Sequence, residues 1–553
     1  MRFDRILASN AVFTGQDDDA KAAAVAVADG RIAAVGDLEE VLALADDPGA
    51  ARGQVEDLGD AFLCPGFHDS HVHFFHSALY SSPLACSFLG ESERDCVERL
   101  RAFARVRPEG WLLAQGWREY RWDPPVLPTK RSLDAAFPDR PVALYSGDAH
   151  TLWMNSRALE ELGVREGSVP PEGGSYERDE EGRLTGIVRE AAAMELMPRI
   201  VSSFSDGELA DAYAGFFRTL AENGITSVCD LSLMAGEGLD FVRDDIHARL
   251  LRDGRMTARV TLFPTLTDDQ GRYDRLEGGL SGDMLRVGGF KQFFDGVSSQ
   301  HTAWVAEPYA NAAFAEDRGR PTVAVQTMRR YVLGAAERGR AVRIHAIGDE
   351  AIHKALDIFE EAREAYGPLP DGRRNCIEHL ENFQPDDMAR LAKIDVVAAV
   401  QPPHMTLDPG GPERDLGPER TPYMWPFASL LGLGCTLAFG TDSPVVPVAS
   451  TNVLYSAVTR RDPLTGEPEG GWRPEQRIGR ADALRAYTYG SAFAAGRGDE
   501  LGLLIPGMLA DLVVVDKNLI SCSDGELRDA RVLETILGGK TVYLRDGEGD
   551  EPA

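Results

Sequence analysis

Short apolar runs, each closed by polar or small residues, recur along most of the chain. Eight are prominent: Ala61–His73, Ile225–Asp230, Ala258–Thr265, Val287–Asp295, Ala341–Ile347, Asn375–Leu380, Val396–Gln401 and Thr436–Asp442. Most precede a helical pattern, as where Ile352, Ala355, Leu356 and Phe359 follow Asp349, read here as a helix cap. Strands alternating with helices predict an α/β fold built on a (β/α)8 TIM barrel. A doubly wound open sheet is the competing architecture. It needs a Gly-rich phosphate turn after an early strand, and none is present.

The two ends of the chain read as strands. Ala24–Ala28 and Arg31–Val35 flank Asp29-Gly30, a type I′ hairpin signal. Leu501–Ile505, Asp511–Asp516 and two runs around Gly538-Gly539 form a matching set at the far end. Both sets are incomplete alone, which predicts one composite β-sandwich from residues 1–60 and 495–553 around a barrel of residues 61–494. The interval between the first and second runs far exceeds an ordinary crossover. It predicts an insertion subdomain over residues 74–210, rich in Trp, Pro and Arg, that also contains the first barrel helix. The acidic tail, Asp546–Ala553, is expected to fray.

The 553 residues are 43% hydrophobic, enough for a sizeable core, which excludes overall disorder. A formal net charge of −30 argues against nucleic-acid and anionic-membrane partners. No run is long enough to span a membrane, and the N-terminus reads as a strand rather than a signal peptide. Seven scattered cysteines without a CxxC pair fit a reducing cytoplasm. Cys64, Cys229, Cys376 and Cys435 fall inside proposed strands and read as small buried apolar residues.

The strand ends carry the chemistry. His71 and His73 are two apart in a strand, so both imidazoles can reach one point. Alone, an HxH pair is weak evidence. Lys291, His345, His379 and Asp442, however, also fall at or near the C-terminal ends of other strands, the face where barrel enzymes place catalysis. Such residues are expensive to bury without compensation. The set of six reads as ligands for two divalent metals, zinc first, with iron and manganese also fitting. An ammonium beside two cations would be repelled, so Lys291 is read as a carbamate bridging them. Its alternative is a cation that binds a substrate carboxylate or pairs with Asp295. His150, Trp153 and Asn155 in the insertion, His301 after strand four, and Gln401 and His404 after strand seven are candidate pocket wall. Ser299 and Gln300 accompany His301. His68 and His76 lack the metal register and read as structural.

Pro65-Gly66-Phe67-His68-Asp69-Ser70-His71-Val72-His73 resembles the PGFxDxHxH signature of the amidohydrolase superfamily. The whole chain is similar to its family 3 branch, which includes N-substituted formamide deformylases. The resemblance extends to Lys291 with Asp295-Gly296 and Thr302-Ala303, His345-Ala346-Ile347-Gly348-Asp349, Ile377-Glu378-His379, Gln401-Pro402-Pro403-His404, Phe439-Gly440-Thr441-Asp442-Ser443-Pro444, and to Gly502, Pro506-Gly507 and Ala510-Asp511-Leu512. It implies a metal-dependent amidohydrolase acting on a non-peptide carbon–nitrogen bond of a small molecule. By the same resemblance His71, His73 and Asp442 hold one metal, His345 and His379 the other, and carboxylated Lys291 bridges them. The chain departs from the pattern at Met508, where Lys is usual, a change expected to matter only at the surface. It departs again at Ala149, where Gly is common.

The expected reaction is attack by metal-activated water, with Asp442 accepting its proton and passing it to the departing amine. Asp349 and Glu378 are expected to brace His345 or His379. Alternatives are a one-metal heterocycle deaminase, an esterase or lactonase on the same centre, and a non-catalytic binding protein on a retired scaffold. The expected partner is a small molecule carrying an apolar or aromatic group, and a homodimer is the expected assembly.

Overall fold

Asp29-Gly30 forms the tight turn expected of it: both residues take positive φ (51° and 73°) and join the antiparallel strands Lys21–Ala28 and Arg31–Gly36. The computed structural model describes residues 1–147, 150–171, 173–233, 240–280, 282–312, 314–408 and 410–545. Asp148, Ala149 and the tail 546–553 therefore lie outside the described residues.

Strands from both ends of the chain share one eight-stranded sheet. Its order runs from Lys540–Leu544 through Val532–Leu537, Leu512–Val515, Phe62–Pro65, Arg5–Val12 and Lys21–Ala28 to Arg31–Gly36, with Val55–Asp57 beside Arg5–Val12. Alternation divides its residues between faces. Leu7, Val25, Val27, Leu63 and Val514 join one apolar cluster; Ile6, Ala24 and Ala26 join another with Val41 and Leu42 of the helix Leu38–Ala43. Met508 is buried in the first cluster rather than at the surface.

The eight central runs are parallel strands, labelled in chain order β1 (Phe67–Val72), β2 (Ile225–Leu231), β3 (Arg259–Phe263), β4 (Gly289–Phe293), β5 (Ala341–Ala346), β6 (Cys376–His379), β7 (Val397–Val400) and β8 (Leu437–Phe439). β1–β2–β3, extended by Leu285–Val287, form a four-stranded sheet; β4 to β8 form a five-stranded sheet. Parallel bridges Thr265↔Lys291 and Val72↔Ser443 link the two sheets at both edges. Two predicted runs are split. The first changes sheets at Gly66, where a Cβ would lie 2.2 Å from Thr226 Oγ1. Phe62–Pro65 thus pairs with Leu512–Val515 while β1 pairs with β2. The fourth run breaks at Gly288, between Leu285–Val287 and β4.

After β1 comes the helix Phe74–Tyr80, then a region with its own six-stranded mixed sheet. Its strands are Cys86–Gly90, Leu112–Trp117, Val142–Ser146, Thr151–Met154, Gly174–Arg178 and Leu184–Glu190. Trp117, Trp122 and Trp153 fill a separate core there with Leu100, Leu133 and Leu144. Helices Ala191–Val201 and Asp206–Glu222 lead back to β2. The helix behind β5 spans Asp349–Tyr366, but Gly348 holds the cap position. The Asp349 carboxylate instead accepts from Ala306 N (2.9 Å). Among the described residues no helix is long and apolar enough to cross a membrane.

Candidate metal centre

The parallel strands bring their C-terminal ends to one rim. His71 Nε2 and His73 Nε2 lie 3.2 and 3.1 Å from the same atom, Asp442 Oδ1. Their other ring nitrogens are claimed. His71 Nδ1 is 2.7 Å from Glu378 Oε2, and His73 Nδ1 is 2.9 Å from the Leu231 carbonyl. Protons on Nδ1 leave the Nε2 lone pairs of both rings aimed at one point, the tautomer a metal ligand needs. His71 Nε2, Asp442 Oδ1, Lys291 Nζ and His379 Nδ1 are all buried without a hydrogen-bond partner among the described residues. Buried polar atoms are rarely left so, and this donor set fits a divalent transition ion.

The histidines form a continuous string. Ring centroids are 5.2 Å apart for His71 and His73, 5.1 Å for His71 and His379, and 4.3 Å for His379 and His345. Lys291 Nζ lies 4.9 Å from the Phe293 ring centroid. Burial pulls its ammonium down to about 8, so the neutral amine is within reach near neutral pH. Burial also lowers His345 and His379 well below the usual imidazole range, with Lys291 adding to the effect on His345 and His345 to that on His379.

Beneath the rim, Arg343 Nε donates to Glu378 Oε1 (2.5 Å) and Arg343 Nη2 to Ser70 Oγ (2.7 Å). Burial pushes the Glu378 carboxyl up, but Arg343 and then His71 outweigh it and hold it at about 2. Glu378 is thereby favoured in its ionised form, beside the His71 ring nitrogen it orients. It serves His71 rather than His345 or His379, because the alternation of β6 turns Glu378 inward.

Two carboxylates brace the loops. Asp69 accepts from Thr441 Oγ1 (2.7 Å), Thr441 N (3.0 Å) and His71 N (3.1 Å), tying β1 to the segment after β8. Asp295 accepts from Ile347, Gly348 and Trp304 N–H groups. Asp442 and His379 hold left-handed backbones (φ 57° and 75°), a cost tolerated where the surroundings over-determine it.

The rim opens into a cleft lined by His73, His345, His379 and Asp442. Its apolar walls include Phe293, Met424 and Trp425. Of the candidate wall residues, His150 lines the cleft, with Nδ1 2.8 Å from Glu190 Oε2. His404 lines it too, its Nε2 4.0 Å from Asp442 Oδ2. Gln401 lies underneath, its Nε2 3.3 Å from His71 Nδ1. His301 belongs to another cavity, stacked on Tyr309 (4.2 Å) and paired with Asp317 (2.6 Å).

Trp153 and Asn155 are corrections. Trp153 is fully buried in the insertion core, its Nε1 donating to Thr129 O (2.9 Å). Asn155 caps the helix Ser156–Glu161 and donates to Phe137 O and Arg140 O. Both complete the insertion's own packing rather than reach the cleft. The aromatic groups of the cleft come from Tyr120 of the insertion, Phe293 and Trp425. Sequence reasoning missed Glu190 and Glu381, which also approach the site. Burial, then Asp295 and Asp442, push Glu381 up to about 8. Only the position of Glu381 two residues past His379 could have flagged it.

Residues 54–543 match the family model described as "Amidohydrolase family". The chain is 30% identical over 548 residues to Protein LONG AFTER FAR-RED 3 of Arabidopsis thaliana, covering 98% of this chain and 91% of that protein. It is 27% identical over 541 residues to the N-substituted formamide deformylase of Arthrobacter pascens, covering 95% and 96%. Among solved structures it resembles an uncharacterized metal-dependent hydrolase from Pyrococcus horikoshii, with a TM-score of 0.73 and 25% identity, covering 94% of this chain and 99% of that one.

Proposed function

The chain belongs to the amidohydrolase family, and on that footing we propose that it hydrolyses a non-peptide carbon–nitrogen bond of a small amide at a two-metal centre. The observation that carries this reading is the convergence of His71, His73 and Asp442, with buried ligand atoms that nothing else in the described protein satisfies. His71, His73 and Asp442 would hold one ion, His345 and His379 the other, and Lys291, as its carbamate, would bridge them. Zinc suits this nitrogen and oxygen set. Divalent ions bound here supply Lewis acidity to the substrate carbonyl and ready a water for attack.

The chain's own groups do the rest. Asp442, at the rim beside both histidines, takes the proton of the attacking water. It must be ionised to accept that proton. Glu378 fixes the His71 ring and Leu231 the His73 ring. Phe293 and Trp425 exclude water and take up an apolar group of the substrate. In this reading the two parallel sheets close into a (β/α)8 barrel of residues 61–494. Residues 74–210 roof one side, and 1–60 with 495–553 form the composite sandwich. Seven unpaired cysteines favour a cytoplasmic setting.

The test is a panel of N-formyl and N-acyl amines offered to protein reconstituted with zinc or manganese. Metal-dependent release of amine is the expected result. Hydrolysis of esters but no amide, deamination of a heterocycle with one metal per chain, or no turnover would each replace this reading.

A further inference from the structure

A second set of donor atoms converges outside the His71, His73 and Asp442 group. His379, Glu381 and His404 each place a ligand atom within 4.8 Å of the other two. All three line the cleft. His379 Nδ1 and His404 Nε2 are buried without hydrogen-bond partners among the described residues, and these side chains belong to residues only slightly exposed (His379 3%, His404 side chain 8%).

The local backbone explains the convergence. His379 and Leu380 are successive left-handed residues (φ 75° and 49°), a sharp turn at the end of β6. This turn brings Glu381 back to the cleft two residues after His379. Trp425 N donates to the Glu381 carbonyl (3.0 Å), and Asn382 Nδ2 donates to Ile347 O (2.9 Å), so the turn is held on both sides. The His404 ring stacks parallel to His379, with centroids 6.1 Å apart.

Two imidazoles and a carboxylate form a ligand set that zinc-class ions accept. One further fact of imidazole chemistry matters. A neutral ring offers a single lone pair, because its other nitrogen carries the proton. His379 can therefore complete the inner pair with His345 or the outer trio, but not both.

We propose that His379, Glu381 and His404 form an outer binding site for a divalent transition-metal ion, an alternative to the inner position of the second ion. The inference rests on the two-metal reading above. An ion in the outer site withdraws His379 from the hydrolytic pair and occupies the cleft wall beside Asp442. Abundant metal then switches hydrolysis off without displacing the ion held by His71, His73 and Asp442.

Crystals of the full chain soaked in millimolar zinc, read by anomalous diffraction, test this directly, alongside hydrolysis measured against zinc concentration. The expected result is anomalous density ringed by His379, Glu381 and His404. In Glu381→Gln that density is lost, and the zinc concentration giving half-inhibition rises by at least about tenfold. Density confined to the inner positions at every zinc concentration overturns the inference and leaves the hydrolase reading intact. So does zinc inhibition that is equal in wild type and Glu381→Gln. Absence of zinc from His71, His73 and Asp442 as well overturns both.

Discussion

Two regions of this protein hold the same kinds of residue and use them in opposite ways. In the insertion, every polar group of Asn155 is satisfied: Oδ1 accepts from Val142 N and Ala158 N, and Nδ2 donates to Phe137 O and Arg140 O. Trp117, Trp122 and Trp153 each donate their indole N–H to a carbonyl. At the rim, His71 Nε2, Asp442 Oδ1 and Lys291 Nζ are just as buried and have no hydrogen-bond partner among the described residues. Asn155 and these three indoles are finished by folding. The rim has donors and acceptors prepared for something that is not protein.

That contrast can be broken by substitution. The largest effect is expected for Asp442→Asn, which keeps the shape but removes the proton acceptor. Turnover should fall by about 10³-fold while the thermal midpoint hardly moves; a variant retaining near-normal kcat would return Asp442 to the merely structural class. Next comes Lys291→Met in metal-free protein. The Lys291 ammonium sits at about 8 when folded against 10.5 as the ordinary value. The unfolded chain thus binds the extra proton between those pH values, and native stability rises with pH across that window. Below pH 8 both states are protonated and the folded one bears the whole penalty. Lys291→Met should therefore stabilise by about 3 kcal/mol at pH 7 and by little at pH 10.5, read by denaturant unfolding. Equal effects at both pH values would mean that a partner compensates the buried Lys291 charge. The smallest effect belongs to Asn155→Ala, expected to cost about 2 kcal/mol of stability with kcat and KM unchanged in the folded fraction. A KM shift there would restore Asn155 to the pocket wall.

The fold was legible because its signals are local. Alternating and continuous apolar runs marked the eight central parallel strands, and Asp29-Gly30 marked its hairpin. The convergence of His71 and His73 on Asp442 was legible for a related reason: a strand end fixes which face a residue two apart must share. What escaped was decided by partners far away in the chain. Glu378 could be seen beside His379, but its assignment to His71 depends on how β6 meets β1, 307 residues away. The insertion's sheet was missed because its Trp-rich strands do not alternate cleanly. Trp153 and Asn155 were read as pocket wall from an assumed place on a rim loop, whereas Trp153 lies in the strand Thr151–Met154 and Asn155 caps the next helix. Glu381 depends on two left-handed residues that nothing in Leu380 announces.

The Asp69–Thr441 bond carries a consequence for biogenesis. It joins groups 372 residues apart, so His71 and His73 leave the ribosome on the order of half a minute before Asp442 does. Throughout that interval a nascent chain displays two bare imidazoles with nothing to complete their cage. On the proposed metal reading, selective acquisition would therefore be a late event that waits for Asp442, and fidelity in choosing the ion would rest on the finished seam rather than on the first histidines to emerge.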